Sequence, residues 1–191
     1  MRSWWQSEEP SRSSGEVRSS LALALAVLLG FPAPALSRPD SAPRTAGVPI
    51  GLVIRGSEAA VNDIAVVPGT TVFSGDQIST GSRGWVLVLL QNGDYFALGD
   101  GVSQARVERV SGQDLFVSLR VGVLTIATPK QALFRVETPC ASVVPQDPRD
   151  SLWQVAVLDA NTTEVAAHRS SLQVRMELRQ LTVLPRERIR I

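Results

Sequence analysis

Two turns and an apolar run between positions 74 and 98 limit most strongly what this chain can fold into. The first turn, Ser74–Gly81, contains the pairs Gly-Asp and Thr-Gly, and the apolar run Trp85–Leu90 follows it. Asn92-Gly93 then separates this run from Tyr95–Leu98. Asn-Gly supplies the positive φ angles that a two-residue type I′ hairpin needs. We therefore expect Trp85–Leu90 and Tyr95–Leu98 to pair as antiparallel strands of a compact β-protein.

Strand-like segments recur at short spacing from about position 48 onward, and no stretch has the periodicity of an amphipathic helix. Trp85–Leu90 has no polar position, which predicts a central strand covered on both faces. Leu172–Arg179 alternates apolar and polar residues, which predicts a strand with one wet face. These patterns indicate an all-β fold, a single domain over 48–191 with many short strands, arranged as a solenoid or roll or like a sandwich. The predicted strands are Ile50–Ile54, Val61–Val67, Trp85–Leu90, Tyr95–Leu98, Leu115–Leu119, Val121–Ala127, Leu133–Val136, Trp153–Leu158, Glu164–Ala167, Leu172–Leu178 and Leu181–Leu184.

Length and charge set broader limits on the class of protein. A chain of 191 residues can bury a sizeable core in one domain without disulfides or metals. With 44% hydrophobic and 19% charged residues, its composition is that of a globular protein. The net charge is +1, and the basic residues form no block. We therefore predict no nucleic-acid partner, since such surfaces concentrate positive charge.

The amino-terminal segment has the layout of an export signal. Arg12 and Arg18 precede the apolar stretch Leu21–Phe31, and small residues follow it. We predict a signal peptide over 1–37 with cleavage near Ala35 to Ser37, a polar linker over 38–47, and a periplasmic or secreted mature protein. The apolar stretch holds about 11 residues, whereas a membrane-spanning helix needs about 20. We therefore expect no stable membrane span after cleavage. An uncleaved anchor and a misplaced start codon stay open as alternatives.

Cys140 is the only cysteine of the chain, so no internal disulfide can form. A lipoprotein would need a cysteine at the cleavage point, which this chain lacks. We expect Cys140 to be a small buried hydrophobic residue, with an intermolecular disulfide as the alternative.

Residues suited to catalysis or metal binding are few. His168 is the single histidine and lies in a polar stretch, which predicts a surface turn and allows no Ser-His-Asp arrangement. Together with Cys140 it supplies too few nitrogen and sulfur ligands for a zinc site, and the acidic residues lack the spacing of a calcium loop. Five aspartates lie in turns, where we expect them to bond the local backbone: Asp63, Asp76, Asp94, Asp100 and Asp114. We predict no enzyme activity, no catalytic residue, no metal site and no cofactor.

An ordered set of motifs resembles the FecR-type domain. The resemblance covers about residues 48–144 and depends on the following segments: Gly75-Asp76, Thr80-Gly81, Trp85–Leu90, Asn92-Gly93, Tyr95–Leu98, Leu119–Leu124, Phe134–Val136 and Thr138-Pro139. The last third departs from the family pattern, because Val144–Asp147, His168–Ser170 and Pro185–Glu187 stand where the family typically has glycine-containing motifs.

The resemblance implies a β-rich exported domain, similar to the periplasmic part of regulators that relay outer-membrane iron-uptake signals to a sigma factor. Those regulators carry a cytoplasmic anti-sigma segment and a membrane helix, for which the leader of this chain looks too short. We therefore expect a non-catalytic interaction module of the cell envelope, linked to envelope signalling or iron-uptake regulation. Its partner would be another envelope protein, bound at strand edges or at arginine-rich stretches that we expect to be loops, such as Arg106–Arg109 and Arg186–Arg190.

Two other functions remain open. The chain could be a secreted surface or matrix protein that binds a polysaccharide or another polymer on aromatic platforms such as Trp85, Tyr95 or Trp153. The aromatic content of 5% makes this the second hypothesis, and an envelope enzyme is the third. The sequence does not identify the partner, the pathway or the oligomeric state.

Overall fold

The computed structural model describes residues 47–112, 114–129 and 133–191. The predicted signal peptide and all but the last residue of the predicted linker lie outside these ranges. Within them the chain forms thirteen strands and no helix, which confirms the all-β class, and no helix suitable for crossing a membrane is present. The strands are β1 (Pro49–Val61), β2 (Ile64–Ala65), β3 (Thr71–Phe73), β4 (Gln77–Leu90), β5 (Tyr95–Ser111), β6 (Asp114–Thr128), β7 (Phe134–Glu137), β8 (Ser142–Pro145), β9 (Ser151–Asp159), β10 (Thr162–Ala167), β11 (Leu172–Arg175), β12 (Gln180–Val183) and β13 (Arg188–Arg190).

Four long strands, β1, β4, β5 and β6, bend in the middle and contribute to two layers. In the first layer, one half of each long strand pairs in the order β1–β4–β5–β6, with β3 beyond β1 and with β9, β10 and β13 beyond β6. In the second layer the other halves pair in the same order, with β2 beyond β1 and with β7, β8, β11 and β12 beyond β6. All these pairings are antiparallel except β6 with β7.

The core lies between the two layers. Val88, Phe96, Ile126 and Trp153 are paired across β4, β5, β6 and β9 and have no exposed surface. The ring of Phe96 meets that of Phe134, on β7 of the second layer, edge to face with 6.4 Å between centroids. The inward side of each layer is mainly apolar, and its burial stabilises the sandwich by the hydrophobic effect.

The bend is built from irregular backbone that is aligned across neighbouring strands. Pairing shifts register between Thr80 and Trp85 on β4, opposite Gly99–Ser103 on β5. The Thr80 hydroxyl donates to the Gly101 carbonyl at 2.7 Å and accepts from the Ser103 amide at 3.0 Å. These bonds satisfy backbone groups that the interrupted ladder leaves without a strand partner.

Ser103 also connects the bend to β6. Its side chain is buried, and its hydroxyl accepts from the Val123 amide at 3.2 Å. Gly122 precedes Val123 with φ +93°, and a Cβ atom there would overlap the side chain and backbone of Ser103. A glycine is therefore required at this position both by backbone conformation and by the close approach of β5.

The Gly75-Asp76 pair carries the chain from the first layer to the second. Gly75 donates its amide to the Val107 carbonyl at 2.8 Å, which attaches the turn to β5. The Asp76 carboxylate accepts from the Phe73 amide at 2.7 Å and from the Asn62 side-chain amide at 2.6 Å. The bond from Phe73 is the local backbone bond that the sequence predicts, whereas the bond from Asn62 joins Asp76 to the segment between β1 and β2.

The predicted hairpin between β4 and β5 forms, but its turn type is different. Only Gly93 has a positive φ, +89°, and Asn92 does not. The Gly93 amide donates to the Leu90 carbonyl at 3.0 Å, and the Leu90 amide donates to the Asp94 carbonyl at 2.8 Å. The turn is thus a three-residue loop whose glycine forms a bulge, not a two-residue type I′ turn.

Several predicted strand limits are wrong. The segment Val61–Val67 is interrupted at Asn62 and Asp63, which both have positive φ, and the two predicted strands within 115–127 are one continuous strand. The prediction of many short strands is wrong for β4, β5 and β6, which have 14, 17 and 15 residues. Glycine and serine at the bend resemble strand ends in sequence, although the strands continue through them. The strands β3, β8 and β13 were not predicted.

We expect Gly122→Ala to lower the free energy of unfolding by about 2–4 kcal/mol, because it adds backbone strain and a steric overlap with Ser103. Gly112→Ala is the matched control, since Gly112 has φ +52° with open space around it, and should cost about 1 kcal/mol. Urea denaturation of both variants measures the difference. Equal losses would contradict the role of the close approach at Gly122.

Candidate functional site

The outer surface of the first layer exposes large apolar side chains. On β4 the side chains alternate: Val86, Val88 and Leu90 are buried in the core, whereas Trp85 is 42% and Leu89 is 39% exposed. The prediction that Trp85–Leu90 is covered on both faces is therefore wrong. The core covers one face of this strand, and the other face meets solvent.

Neighbouring strands extend this exposed surface. Leu89 pairs with Leu52 on β1 and with Tyr95 on β5, so the three side chains lie in one row on the same side of the layer. Leu52 and Tyr95 are 45% and 42% exposed. We define the apolar face as the following six residues: Leu52, Ile54, Trp85, Leu87, Leu89 and Tyr95.

A bulge on β1 sets the border of the apolar face. The pairing shifts between Val53 and Arg55, so that Ile54 and Arg55 lie together opposite Leu87. Ile54 is 38% exposed, and Arg55 is the charged residue beside it. On the opposite side, Thr125 and Gln154 continue the row of Leu87 across β6 and β9. The apolar face thus has a polar and charged border.

The outer surface of the second layer has a different character. Its side chains are mainly polar, with Gln104, Arg106 and Ser118 in neighbouring positions of β5 and β6. Arg106 forms an ion pair with Glu108 at 2.7 Å on the same strand. The second layer also exposes apolar side chains, such as Ile64 of β2 and Leu181 of β12, but these strands lie at opposite ends of the strand order. The two outer surfaces therefore differ in chemistry, because only the first layer has exposed apolar side chains in one row across β1, β4 and β5.

The aromatic residues proposed as platforms have different environments. Trp85 and Tyr95 belong to the apolar face, on adjacent strands. Trp153 has no exposed surface and packs in the core, so its prediction as a platform is wrong. Its strand β9 alternates, and Trp153 pairs with the inward-facing Ile126.

The arginine-rich stretches were predicted as loops, but they lie largely in strands. Arg106–Arg109 belongs to β5. In the second stretch Arg186 has φ +70° in a turn, and β13 follows. Its Arg188 and Arg190 form ion pairs with Glu164 at 3.2 and 3.3 Å. Much of the positive charge of the second stretch is thus balanced within the molecule.

Cys140 and His168 lie apart from the apolar face. Cys140 is half-buried, not fully buried as predicted, and its sulfur lies 3.1 Å from the Thr163 hydroxyl. His168 is exposed in a bend, in agreement with the predicted surface turn. Among the residues that the structure describes, no three His, Cys, Asp or Glu side chains converge as a metal site.

One carboxylate has a shifted acidity, for a local reason. The pKa of Asp159 is lowered because its carboxylate accepts from the Asn161 amide, at 2.8 Å, and from the side chain of Thr162. This aspartate closes the turn between β9 and β10 and is exposed. The shift reflects turn geometry and does not indicate a catalytic group.

Comparison with known proteins gives one structural relationship. No protein-family model matches the chain, and no curated protein matches it. The chain is similar to the crystal structure of a "putative anti-sigma factor" from Parabacteroides distasonis ATCC 8503, with 19% sequence identity and a TM-score of 0.51. The match covers 60% of this chain and 54% of that chain. A second crystal structure of the same description matches over the same shares with a TM-score of 0.49.

The similarity concerns architecture. At 19% identity it supports the all-β fold, and the chain spans about half the length of the solved structure that it matches. Sequence reasoning did not find the apolar face, because Leu87 and Leu89 were read as core residues. The exposed side is set by the register with Leu52 and Ile54 on the adjacent strand, which no local sequence pattern reveals.

We expect Leu98→Ala to lower the free energy of unfolding by about 2–5 kcal/mol, because Leu98 is fully buried in the core. Leu89→Ala should lower it by less than about 1 kcal/mol, since Leu89 lies on the apolar face. The substitution is the same in both variants, so chemical denaturation isolates the effect of location. A comparable loss in both would contradict the exposure of the apolar face.

Proposed function

We propose that this chain is an exported, non-catalytic FecR-type module that contacts another protein of the cell envelope through its apolar face. The mature protein would be periplasmic or secreted, following removal of a signal peptide that ends near Ala35 to Ser37. The contact would serve envelope signalling or iron-uptake regulation. The observation that carries the proposal is the row of exposed apolar side chains on the neighbouring strands β1, β4 and β5 of the first layer.

The composition of the apolar face supports a protein partner. Contiguous apolar surface exposed on a folded domain is typical of interaction sites. The cores of protein interfaces are rich in aromatic and aliphatic side chains and poor in charge, with a polar rim around them. Trp85, Tyr95 and Leu89 fit such a core, and Arg55 with Gln154 fits such a rim.

The motifs behind the FecR resemblance have structural roles that suit a family pattern. Thr80 and Gly122 form the bend, and the Gly75-Asp76 pair joins the two layers. Such positions constrain the backbone, so a family that shares the fold would retain them. The protein from Parabacteroides distasonis is described as a putative anti-sigma factor, and its similar architecture is compatible with a role in signalling.

Polysaccharide binding is the second candidate, because Trp85 and Tyr95 are both exposed on the same face. The rings are separated by about 13 Å along the strand direction, since Tyr95 lies opposite Leu89, four residues from Trp85. Sugar-binding sites combine such rings with polar side chains that bond hydroxyl groups. The aliphatic residues Leu52, Ile54 and Leu89 around these rings favour a protein partner instead.

The proposal can be tested with the predicted mature chain, residues 38–191, used as bait in an envelope extract of the encoding organism. We expect cross-linking to capture a defined protein partner. Leu89→Ser combined with Tyr95→Ser should reduce the captured amount at least about tenfold, as loss of a hot spot does. The matched control is Gln104→Ser with Arg106→Ser, on the outer surface of the second layer, which should retain the partner.

Three results would contradict this proposal. Equal capture by both double variants would exclude the apolar face as the contact surface. Retention on insoluble polysaccharide that is lost in Trp85→Ser but kept in Leu89→Ser, with no protein captured, would favour the second candidate. Cell fractionation that finds the full-length chain in the cytoplasm with its leader intact would exclude export.

A further inference from the structure

Arg109 occupies an unusual position for a charged residue. It pairs with the buried Leu115 of β6, so its side chain lies in an inward-facing row of the second layer. Gln91 and Asn92 of the β4–β5 turn and Gly112 line the same cavity as Arg109. Arginine is rarely placed on the inner side of a sheet unless a partner compensates its charge.

The guanidinium of Arg109 has few partners. Its Nη2 donates to the Gln91 side-chain oxygen at 3.2 Å, and its Nε is buried without a hydrogen-bond partner. Across the described ranges, no carboxylate forms an ion pair with Arg109. The backbone is held by a bond from the Arg109 amide to the Ser74 hydroxyl at 2.9 Å. The guanidinium is thus incompletely bonded.

A cavity of about 310 Å³ adjoins this side chain. Ile50, Leu90 and Leu115 form apolar walls, and Gln91 and Asn92 contribute polar groups. The Asn92 side-chain amide donates to the carboxylate of the buried Asp94, at 2.5 Å. The volume is at the lower end of the range for small-ligand pockets.

We propose that the Arg109 cavity binds a carboxylate with a short aliphatic body. Nε and Nη2 lie on the same side of a guanidinium, and together they match the two oxygens of a carboxylate. In the structure, the Gln91 side-chain oxygen accepts a hydrogen bond from Nη2 only. A carboxylate would take the place of this oxygen and would also accept a hydrogen bond from Nε. The exposed Gln91 side chain can move away, and the aliphatic body would contact Ile50, Leu90 and Leu115.

This chemistry can come from a free fatty or amino acid or from the carboxyl terminus of a polypeptide, and two probes distinguish these sources. We would titrate the predicted mature chain with butyrate, and separately with a short peptide that ends in a free C-terminal valine. The readout is the ¹H–¹⁵N resonance of Arg109 Nε together with the Gln91 side-chain amide. We expect saturable shifts of both signals with at least one probe below about 50 mM.

Matched variants and neutral probes make the test specific. Arg109→Lys keeps a positive charge but lacks the paired donors, and should weaken binding at least about tenfold, whereas Arg106→Lys on the same strand should not. Gln91→Ala should preserve or strengthen binding. Amide shifts dispersed as in the unchanged protein establish that each variant is folded.

The inference would be overturned by any of four results. The first is the absence of a saturable shift with either probe. The second is equal binding of the uncharged analogues, which are butyramide and the same peptide with an amidated C-terminus. The third is an unchanged affinity in a folded Arg109→Lys variant. Saturation by inorganic phosphate without carboxylate binding would also overturn it. The residues tested lie outside the apolar face, so failure here would be distinguishable from failure of the proposed contact function.

Discussion

The close approach of β5 and β6 at Ser103 and Gly122 is the constraint on which the architecture depends. Gly122 has no side chain, so Ser103 can lie against its backbone and accept the Val123 amide. Thr80 completes the arrangement from β4 by bonding both Gly101 and Ser103. A few short side chains therefore satisfy the backbone at the point where the long strands change direction, and the two layers face each other as a result.

Because the same long strands form both layers, the alternation of side chains along each strand decides which side chains are buried between the layers and which are exposed on the outside. Each long strand must place alternate side chains inward along both of its halves. In the first layer the outward side chains of β1 and β4 and that of Tyr95 on β5 are also apolar, whereas Gln104 and Arg106 lie on the outer side of β5 in the second layer. The difference does not arise from the fold itself, since a polar surface would serve both layers equally well. The difference between the two outer surfaces indicates that the apolar side chains on the first layer meet a requirement other than folding.

The sequence predicts the β class and the hairpin at Asn92-Gly93 because these depend on local chemistry. It does not predict the turn type, since Gly93 alone adopts the positive φ. It also divides β6 at the charged Arg120, although the strand continues through this residue. The apolar run Trp85–Leu90 gives no indication of which side is exposed. That information comes from the register with Leu52 and Tyr95, which depends on contacts distant in sequence.

The division of β6 between two partner strands has a consequence for how the protein unfolds. One half pairs with β7 and the other with β9, so the last third of the chain is distributed over both layers. After β8 the chain passes to β9 and β10 in the first layer, returns to β11 and β12, and ends with β13 beside β10. Neither layer is a contiguous stretch of polypeptide. Unfolding of one layer would therefore remove paired strands and packed side chains from the other. Thermal unfolding should therefore be a single cooperative transition, and neither layer should remain folded on its own.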